Sequence, residues 1–213
     1  MSSVSCVVLR EQVKELILQR IVTGAYAPGD RLVETRIAQE LGTSQAPVRE
    51  ALRDLELLRF VESAPFKGSR VRKVSDEELL EIYPVRAALE ELAAREAATR
   101  LDGDVEALER ELEEMHAAAD VGDLHEQVVH DVNFHRLIVE AAGNEILRDV
   151  WGFLRIESRT IVTALRTGMD GHEIAERHRP VLEALRARDP DAAGAALRRH
   201  LEEFAELLRG ARA

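Results

Sequence analysis

Four side chains able to bind a metal ion lie on apolar helical stripes in the second half of the chain. Asp131 and His135 are four residues apart, so on a helix both side chains leave the same face. His178 and His200 lie on the apolar stripes of two later segments. A buried carboxylate or imidazole is unfavourable by several kcal/mol unless it is paired or coordinated. We therefore predict that these four residues share one metal site.

The expected ion is a divalent transition metal, Zn²⁺ first by abundance, with Ni²⁺ or Mn²⁺ as alternatives. An ordinary core role is the competing interpretation, because a single His on an apolar face usually hydrogen-bonds to a backbone carbonyl. His130 shares a side of its segment with Phe134 and Leu137 and stays open as a further ligand. His116 and His172 fall near helix ends or loops, where solvation is the expectation.

Arg86 is a charged residue on the apolar stripe of a segment expected to be helical from 76 to 100. A guanidinium on such a face requires a carboxylate partner. Glu90, one turn further along the helix, would give an ordinary intrahelical pair. The alternative is that Arg86 binds an anionic effector beside the metal, and the sequence leaves both interpretations open.

A helix-turn-helix pattern occupies residues 38–53. Ala38 is small enough for two helices to cross, Gly42 suits the turn, and Val48 points back between the helices. Ser44 is placed to cap the second helix. Two arginines, an amide and a small residue on the outward face suit a DNA groove, although a plain helical hairpin with exposed arginines is the alternative. These outward residues are Gln45, Ala46, Arg49 and Arg53.

The flanking segments complete a winged helix-turn-helix of three helices and a β-hairpin. The expected helices are 9–24, 34–41 and 45–59, with a short extended piece at 31–33 and strands near 60–62 and 70–73. Wing residues and an arginine of the second helix are expected to contact phosphates or the minor groove. These residues are Arg36, Lys67, Gly68, Arg70 and Arg72.

The rest of the chain is expected to be entirely helical. The periodic segments are 76–100, 103–120, 122–142, 144–167, 172–188 and 190–209, with short loops between them. Short loops between long helices predict antiparallel packing. The predicted fold class is therefore mainly α: a winged helix-turn-helix domain at 1–75, followed by an all-α antiparallel bundle at 76–213.

Charge is divided unevenly between these two domains. The chain has a net charge of −11. Residues 1–75 hold 12 Lys and Arg against 9 Asp and Glu, whereas the remainder holds 17 against 31. A mildly basic segment joined to an acidic one is consistent with a nucleic-acid-binding module. With Cys6 as the only cysteine and no membrane-length apolar run, we expect a cytoplasmic protein without membrane contact.

The sequence resembles the GntR family of bacterial transcription regulators, in its FadR-like branch with a C-terminal FCD domain. In the first domain the resemblance rests above all on PVREALR, residues 47–53. In the second it rests on a set of separate positions: Arg86, Asp131, His135, Asn144, His178 and His200. Two positions depart from the pattern, Thr35 and Gln45, so the operator sequence is not expected to match that of other members.

The resemblance implies a homodimer whose helical domain binds a metal through Asp131, His135, His178 and His200. It also implies a small carboxylate effector, such as a sugar acid or hydroxy acid, with Arg86 and Asn144 as its expected contacts. The predicted function is a repressor that binds a pseudo-palindromic double-stranded DNA operator under control of this effector. The alternatives are a regulator for which the metal itself is the signal, and a metal-dependent hydrolase.

Overall fold

Two compact units make up the protein. The computed structural model describes residues 2–64, 68–154 and 156–210. These residues divide into the units Met1–Val74 and Ser75–Ala213. Each unit buries its own set of apolar side chains.

The first unit is a winged helix-turn-helix. Its three strands form one antiparallel sheet in the order β1-β3-β2, with Leu32 opposite Ser69 and Val61 opposite Val71. The predicted three helices and hairpin are thus confirmed. The elements are α1 (Ser2–Val22), β1 (Arg31–Leu32), α2 (Glu34–Glu40), α3 (Gln45–Leu57), β2 (Val61–Ala64) and β3 (Gly68–Val71).

The turn between α2 and α3 has the geometry that its sequence requires. Gly42 has a φ of +61°, a conformation that residues with a side chain rarely adopt. The amide of Thr43 donates to the Ala38 carbonyl and closes the turn. Val48 and Leu52 are buried, so the opposite face of α3 is left to solvent.

The second unit is a helical bundle, as predicted. The long helix α4 (Asp76–Arg100) packs along α11 (Pro190–Gly210), and α5 (Glu106–Asp120) packs against α6 (Leu124–Ala141). Ser75 caps α4 by accepting from the Glu78 amide at 3.1 Å. The remaining helices are α7 (Glu145–Phe153), α8 (Ile156–Thr167), α9 (Gly171–Glu176) and α10 (Arg179–Arg186).

Two segments predicted as single helices are each divided in the structure. The segment 144–167 forms α7 and α8, and the side chain of Arg159 donates to the Leu154 carbonyl at the end of α7. The segment 172–188 forms α9 and α10, with Pro180 in the first turn of α10. Pro180 lacks the N–H that would donate to the Glu176 carbonyl four residues earlier, so that bond of a continuous helix is missing here. The break leaves His178 just before α10.

No helix among residues 2–64, 68–154 and 156–210 combines the length and apolar character needed to cross a membrane.

Candidate functional site

Three histidines from three parts of the bundle converge in its interior. His135 lies on α6, His178 is the residue just before α10, and His200 lies on α11. One ring nitrogen from each lies within 4.8 Å of those of the other two. All three side chains are buried, so the sequence-predicted residues meet in one place.

Hydrogen bonds fix the orientation of each ring. The Nδ1 of His178 lies 3.1 Å from the Ile174 carbonyl oxygen, and that of His200 lies 3.2 Å from the Arg177 carbonyl oxygen. The Nδ1 of His135 lies 2.5 Å from a carboxylate oxygen of Glu90. Because these oxygens only accept, each Nδ1 is the donor of its contact, and each Nε2 is turned away from these oxygens.

The Nε2 atoms are placed to bind a metal ion. That of His135 is buried without a hydrogen-bond partner, and that of His178 is buried 3.2 Å from Asp131 Oδ1. Burial and the neighbouring imidazoles hold the pKa of His200 well below its usual value, which keeps it neutral. Metal ligation requires neutral imidazoles and an ionised carboxylate. Three imidazoles and one carboxylate are a donor set suited to Zn²⁺ and similar ions.

Glu90 is the functional residue whose role sequence reasoning missed. Its buried carboxylate accepts from Arg86 Nε at 2.9 Å, from Trp151 Nε1 at 2.9 Å, and from His135 Nδ1. Burial alone would raise the pKa of Glu90, but Arg86 and His135 lower it to about 2. The carboxylate therefore stays ionised and orients the His135 ring.

Arg86 forms the intrahelical pair and also keeps one buried nitrogen without a partner. Its Nε donates to Glu90, so the intrahelical pair exists. Its Nη2, however, is buried and has no hydrogen-bond partner. Arg86 also lines a cavity that is shared with Asp131, His135 and His200. One edge of the guanidinium is therefore available to an anion beside the histidines.

The same cavity carries hydroxyl and amide groups as well as apolar side chains. The Oγ1 of Thr160 is buried without a hydrogen-bond partner, and the Tyr83 hydroxyl donates to Thr163 at 3.1 Å. This mixture suits a small, polar, anionic molecule. The other lining residues are Leu124, Gln127, Val128, Ala164, Ile174, Leu201 and Phe204.

Two other sequence-predicted residues lie elsewhere. Asn144 is exposed and caps α7, accepting from the Leu147 amide at 3.0 Å. It does not line the cavity, so the structure gives no basis for the expected effector contact. His130, the alternative ligand, is 2.8 Å from Glu111 and outside the cluster of three histidines.

The outward face of α3 presents the residues predicted to contact DNA. Gln45, Ala46, Arg49 and Arg53 are all exposed. Arg49 forms a two-pronged pair with Glu34 of α2, with its Nε at 3.0 Å and its Nη2 at 2.8 Å from one carboxylate oxygen. Ser44 occupies the N-cap position of α3 without a side-chain cap hydrogen bond.

The other predicted DNA contacts surround this face or belong to the wing. Arg36 is 80% exposed and pairs with Glu40 at 3.0 Å. On the wing, Arg70 is exposed on β3, opposite Glu62 of β2. Gly68 begins β3 with a φ of +72°, and Lys67 lies outside the described residues.

Comparison with known proteins identifies both units. Residues 9–71 match the family model "Bacterial regulatory proteins, gntR family". Residues 81–203, more than half of the chain, match the FCD domain. The chain belongs to the GntR family. It is therefore a DNA-binding transcriptional regulator, and the hydrolase alternative has no support among its relatives.

Relatives of this GntR regulator span nearly its whole length. It is 38% identical to a Paenarthrobacter nicotinovorans protein described as "Probable D-xylose utilization operon transcriptional repressor", covering 91% of this chain and 85% of the relative. It is 27% identical to the transcriptional repressor RspR of Escherichia coli, covering 94% and 89%. The solved structure of E. coli McbR/YncC matches with a TM-score of 0.71 at 27% identity, covering 96% of this chain and 99% of that one.

Replacing Glu90 tests its structural role. Glu90→Gln removes one member of a buried ion pair, so we expect the free energy of unfolding of the second unit to fall by about 3–5 kcal/mol. Urea unfolding followed by fluorescence of Trp151, the single tryptophan, measures this loss.

The neighbouring residue provides the control. Glu91 forms more exposed ion pairs, with Arg95 and Arg198, so Glu91→Gln should change stability by no more than about 1 kcal/mol. Equal losses in the two variants would contradict the role assigned to Glu90.

Proposed function

We propose that this regulator is a repressor whose release from its operator is controlled by a small carboxylate bound beside a divalent metal in the FCD unit. One observation carries the proposal. The unpartnered Nε2 of His135 and the unpartnered Nη2 of Arg86 are both buried, and both residues line one cavity. The first needs a metal or a donor, and the second needs an acceptor.

The metal would be held by Asp131, His135, His178 and His200. When bound, it would supply a Lewis acid for an effector oxygen and would join α6, α10 and α11. The protein itself holds these donor atoms in position. Glu90 and the two backbone carbonyls hold the imidazoles, and burial keeps His200 neutral.

The effector would be bound mainly through its carboxylate. Arg86 Nη2 offers a charge-assisted hydrogen bond, and Thr160 Oγ1 offers a neutral one. Two relatives are named after sugar metabolism: the D-xylose operon repressor already described, and the gluconate operon repressor of Bacillus subtilis, which is 29% identical. Sugar acids are therefore the first carboxylates to test, with the matching neutral sugars as controls.

The DNA contacts would be divided between bases and phosphates. Gln45 and Arg49 lie on the exposed face of α3 and would read base edges in the major groove. The other basic residues would contact phosphates, which position the protein without specifying sequence. These residues are Arg36, Arg53, Lys67 and Arg70.

A homodimer would bring two such faces to a pseudo-palindromic operator. The α7 helix supports this part of the proposal, because Ile146, Val150 and Phe153 share one face and are 77%, 42% and 82% exposed. Clustered exposed apolar side chains of this size are typical of a protein–protein interface. The adjacent face of α7 is already buried through Leu147 and Trp151.

Metal content tests the site directly. His178→Ala removes one of four ligands, so we expect Zn²⁺ affinity to fall by more than the 10–100-fold typical of partners that only support a ligand. Elemental analysis and calorimetric titration of the full-length protein measure this. His130→Ala, outside the cluster, should retain the metal, and full retention by His178→Ala would refute the site.

Arg86→Lys separates effector binding from metal binding. The substitution keeps the charge beside Glu90 but removes the second prong of the guanidinium. We expect unchanged Zn²⁺ content and a loss of about 10–100-fold in affinity for any carboxylate that stabilises the wild type. D-Xylose, D-xylonate and D-gluconate, with and without Zn²⁺, form the first thermal-shift panel.

The same compounds, tested for release of the operator DNA, distinguish the metal-sensor alternative. A carboxylate that releases DNA only from the Zn²⁺-loaded wild type supports the proposal. Release by Zn²⁺ alone, unaffected by Arg86→Lys, favours the metal as signal.

The operator contacts are tested on a DNA site obtained by in vitro selection. Arg49→Ala should reduce specific affinity by about 10–100-fold, corresponding to about 1–3 kcal/mol for a base contact. Arg53→Ala should instead weaken specific and non-specific binding alike. The number of counterions released on binding, given by the salt dependence of the affinity, should fall by about one. An unchanged selected sequence and affinity for Arg49→Ala would contradict its assignment.

The proposed dimer surface is tested by Phe153→Glu. A charge on this exposed face should convert the species from about twice 23.8 kDa to the monomer mass in light scattering. Val121→Glu is the matched control, since Val121 is 78% exposed but lies outside α7. A Phe153→Glu protein that stays dimeric would place the interface elsewhere.

A further inference from the structure

A second pair of histidines lies at the surface, where α9 packs against α5. His116 is on α5, and His172 is the second residue of α9. Their Nδ1 atoms are 3.0 Å apart, and the two ring planes differ by 21°. The side chains are 26% and 46% exposed, so this pair is open to solvent, unlike the three buried histidines.

The backbone holds the pair in position. Asp170 caps α9 by accepting from the His172 amide at 2.9 Å. The Gly171 carbonyl accepts from Gln127 of α6 at 2.5 Å. A Cβ on Gly171 would lie only 2.8 Å from that of Ala119 on α5, so the two helices approach closely here. The proximity of the imidazoles thus follows from the packing of helices.

Each imidazole has a carboxylate on its other side. The Nε2 of His116 is 3.1 Å from Glu176, and that of His172 is 3.3 Å from Asp120. A carboxylate beside Nε2 is the arrangement found behind metal-bound histidines. The two Nδ1 atoms face each other at 3.0 Å. Either a shared proton or a cation bound by both nitrogens satisfies this contact.

We propose that His116 and His172 form a second, surface site for a divalent transition metal, supported by Asp120 and Glu176. Paired imidazoles select Zn²⁺, Ni²⁺ or Cu²⁺ rather than Mg²⁺ or Ca²⁺. Solvent water would complete the coordination, because both side chains are exposed. The site shares no residue with the buried one, so it does not depend on the proposed function.

Occupancy of this site would have a structural consequence. It would join α5 to α9, and α9 ends at Glu176, two residues before His178. A surface ion would therefore stabilise the attachment of the segment that leads into the buried cluster.

Counting bound Zn²⁺ tests the proposal. Full-length protein stripped with a chelator is titrated with Zn²⁺ alone in a calorimeter, and bound metal is measured after desalting. The wild type should bind two equivalents per chain, whereas His116→Ala and His172→Ala should each bind one. His130→Ala, another partly exposed surface histidine, should still bind two.

The outcomes separate the two sites. If His178→Ala removes one equivalent of Zn²⁺ and His172→Ala removes a different one, both sites are supported. A single equivalent that His172→Ala removes supports the surface site and refutes the buried one. Unchanged stoichiometry and affinity in the His116→Ala, His172→Ala double variant overturns the surface site and leaves the pair as an N–H···N hydrogen bond.

A variant of Asp120 tests whether the carboxylates next to the two histidines support metal binding. Asp120→Asn keeps the shape of the side chain but removes its charge, so the affinity of the surface equivalent should fall by about 10–100-fold. Zn²⁺ binding that is insensitive to Asp120→Asn would overturn the role given to the carboxylates.

Discussion

The packing of the second unit depends on the hydrogen bonds of one buried carboxylate, that of Glu90. It receives hydrogen bonds from three elements: Arg86 of its own helix, His135 of α6 and Trp151 of α7. A buried charge is tolerated only when its partners are fixed in place. The Arg86 guanidinium, the His135 imidazole and the helix with the exposed apolar face are therefore linked through one group.

This arrangement gives a physical basis for communication within the unit. Arg86 has one nitrogen on Glu90 and another free in the cavity. An anion bound to the free nitrogen would weaken the attraction between Arg86 and Glu90. The Glu90 carboxylate also accepts a hydrogen bond from Trp151. Trp151 is buried on the face of α7 that adjoins Ile146, Val150 and Phe153. A ligand can shift a conformational equilibrium only through such differential contacts.

The sequence was sufficient for the fold and for most of the site, because both depend on local patterns. Helical periodicity placed His135 and His200 on inward faces, and the glycine turn placed α3. Two features required the tertiary structure. His178 does not lie inside a helix but at the break two residues before Pro180, and its Nδ1 lies near the Ile174 and Ala175 carbonyl oxygens. Glu90 looked like a partner for Arg86 alone, since nothing in the spacing reveals contacts across 45 and 61 residues.

The distribution of charge is compatible with DNA binding by an acidic chain. The acidic excess lies in residues 76–213, so the chain as a whole has little attraction for phosphate. In the first unit, Arg49 is already paired with Glu34, and Arg36 with Glu40. DNA must offer acceptors good enough to compete with these carboxylates. Both a phosphate and a guanine edge can accept two hydrogen bonds from a guanidinium, but only the guanine edge depends on the base sequence. The pair with Glu34 holds the Arg49 guanidinium on the exposed face of α3, where a base edge is its proposed partner.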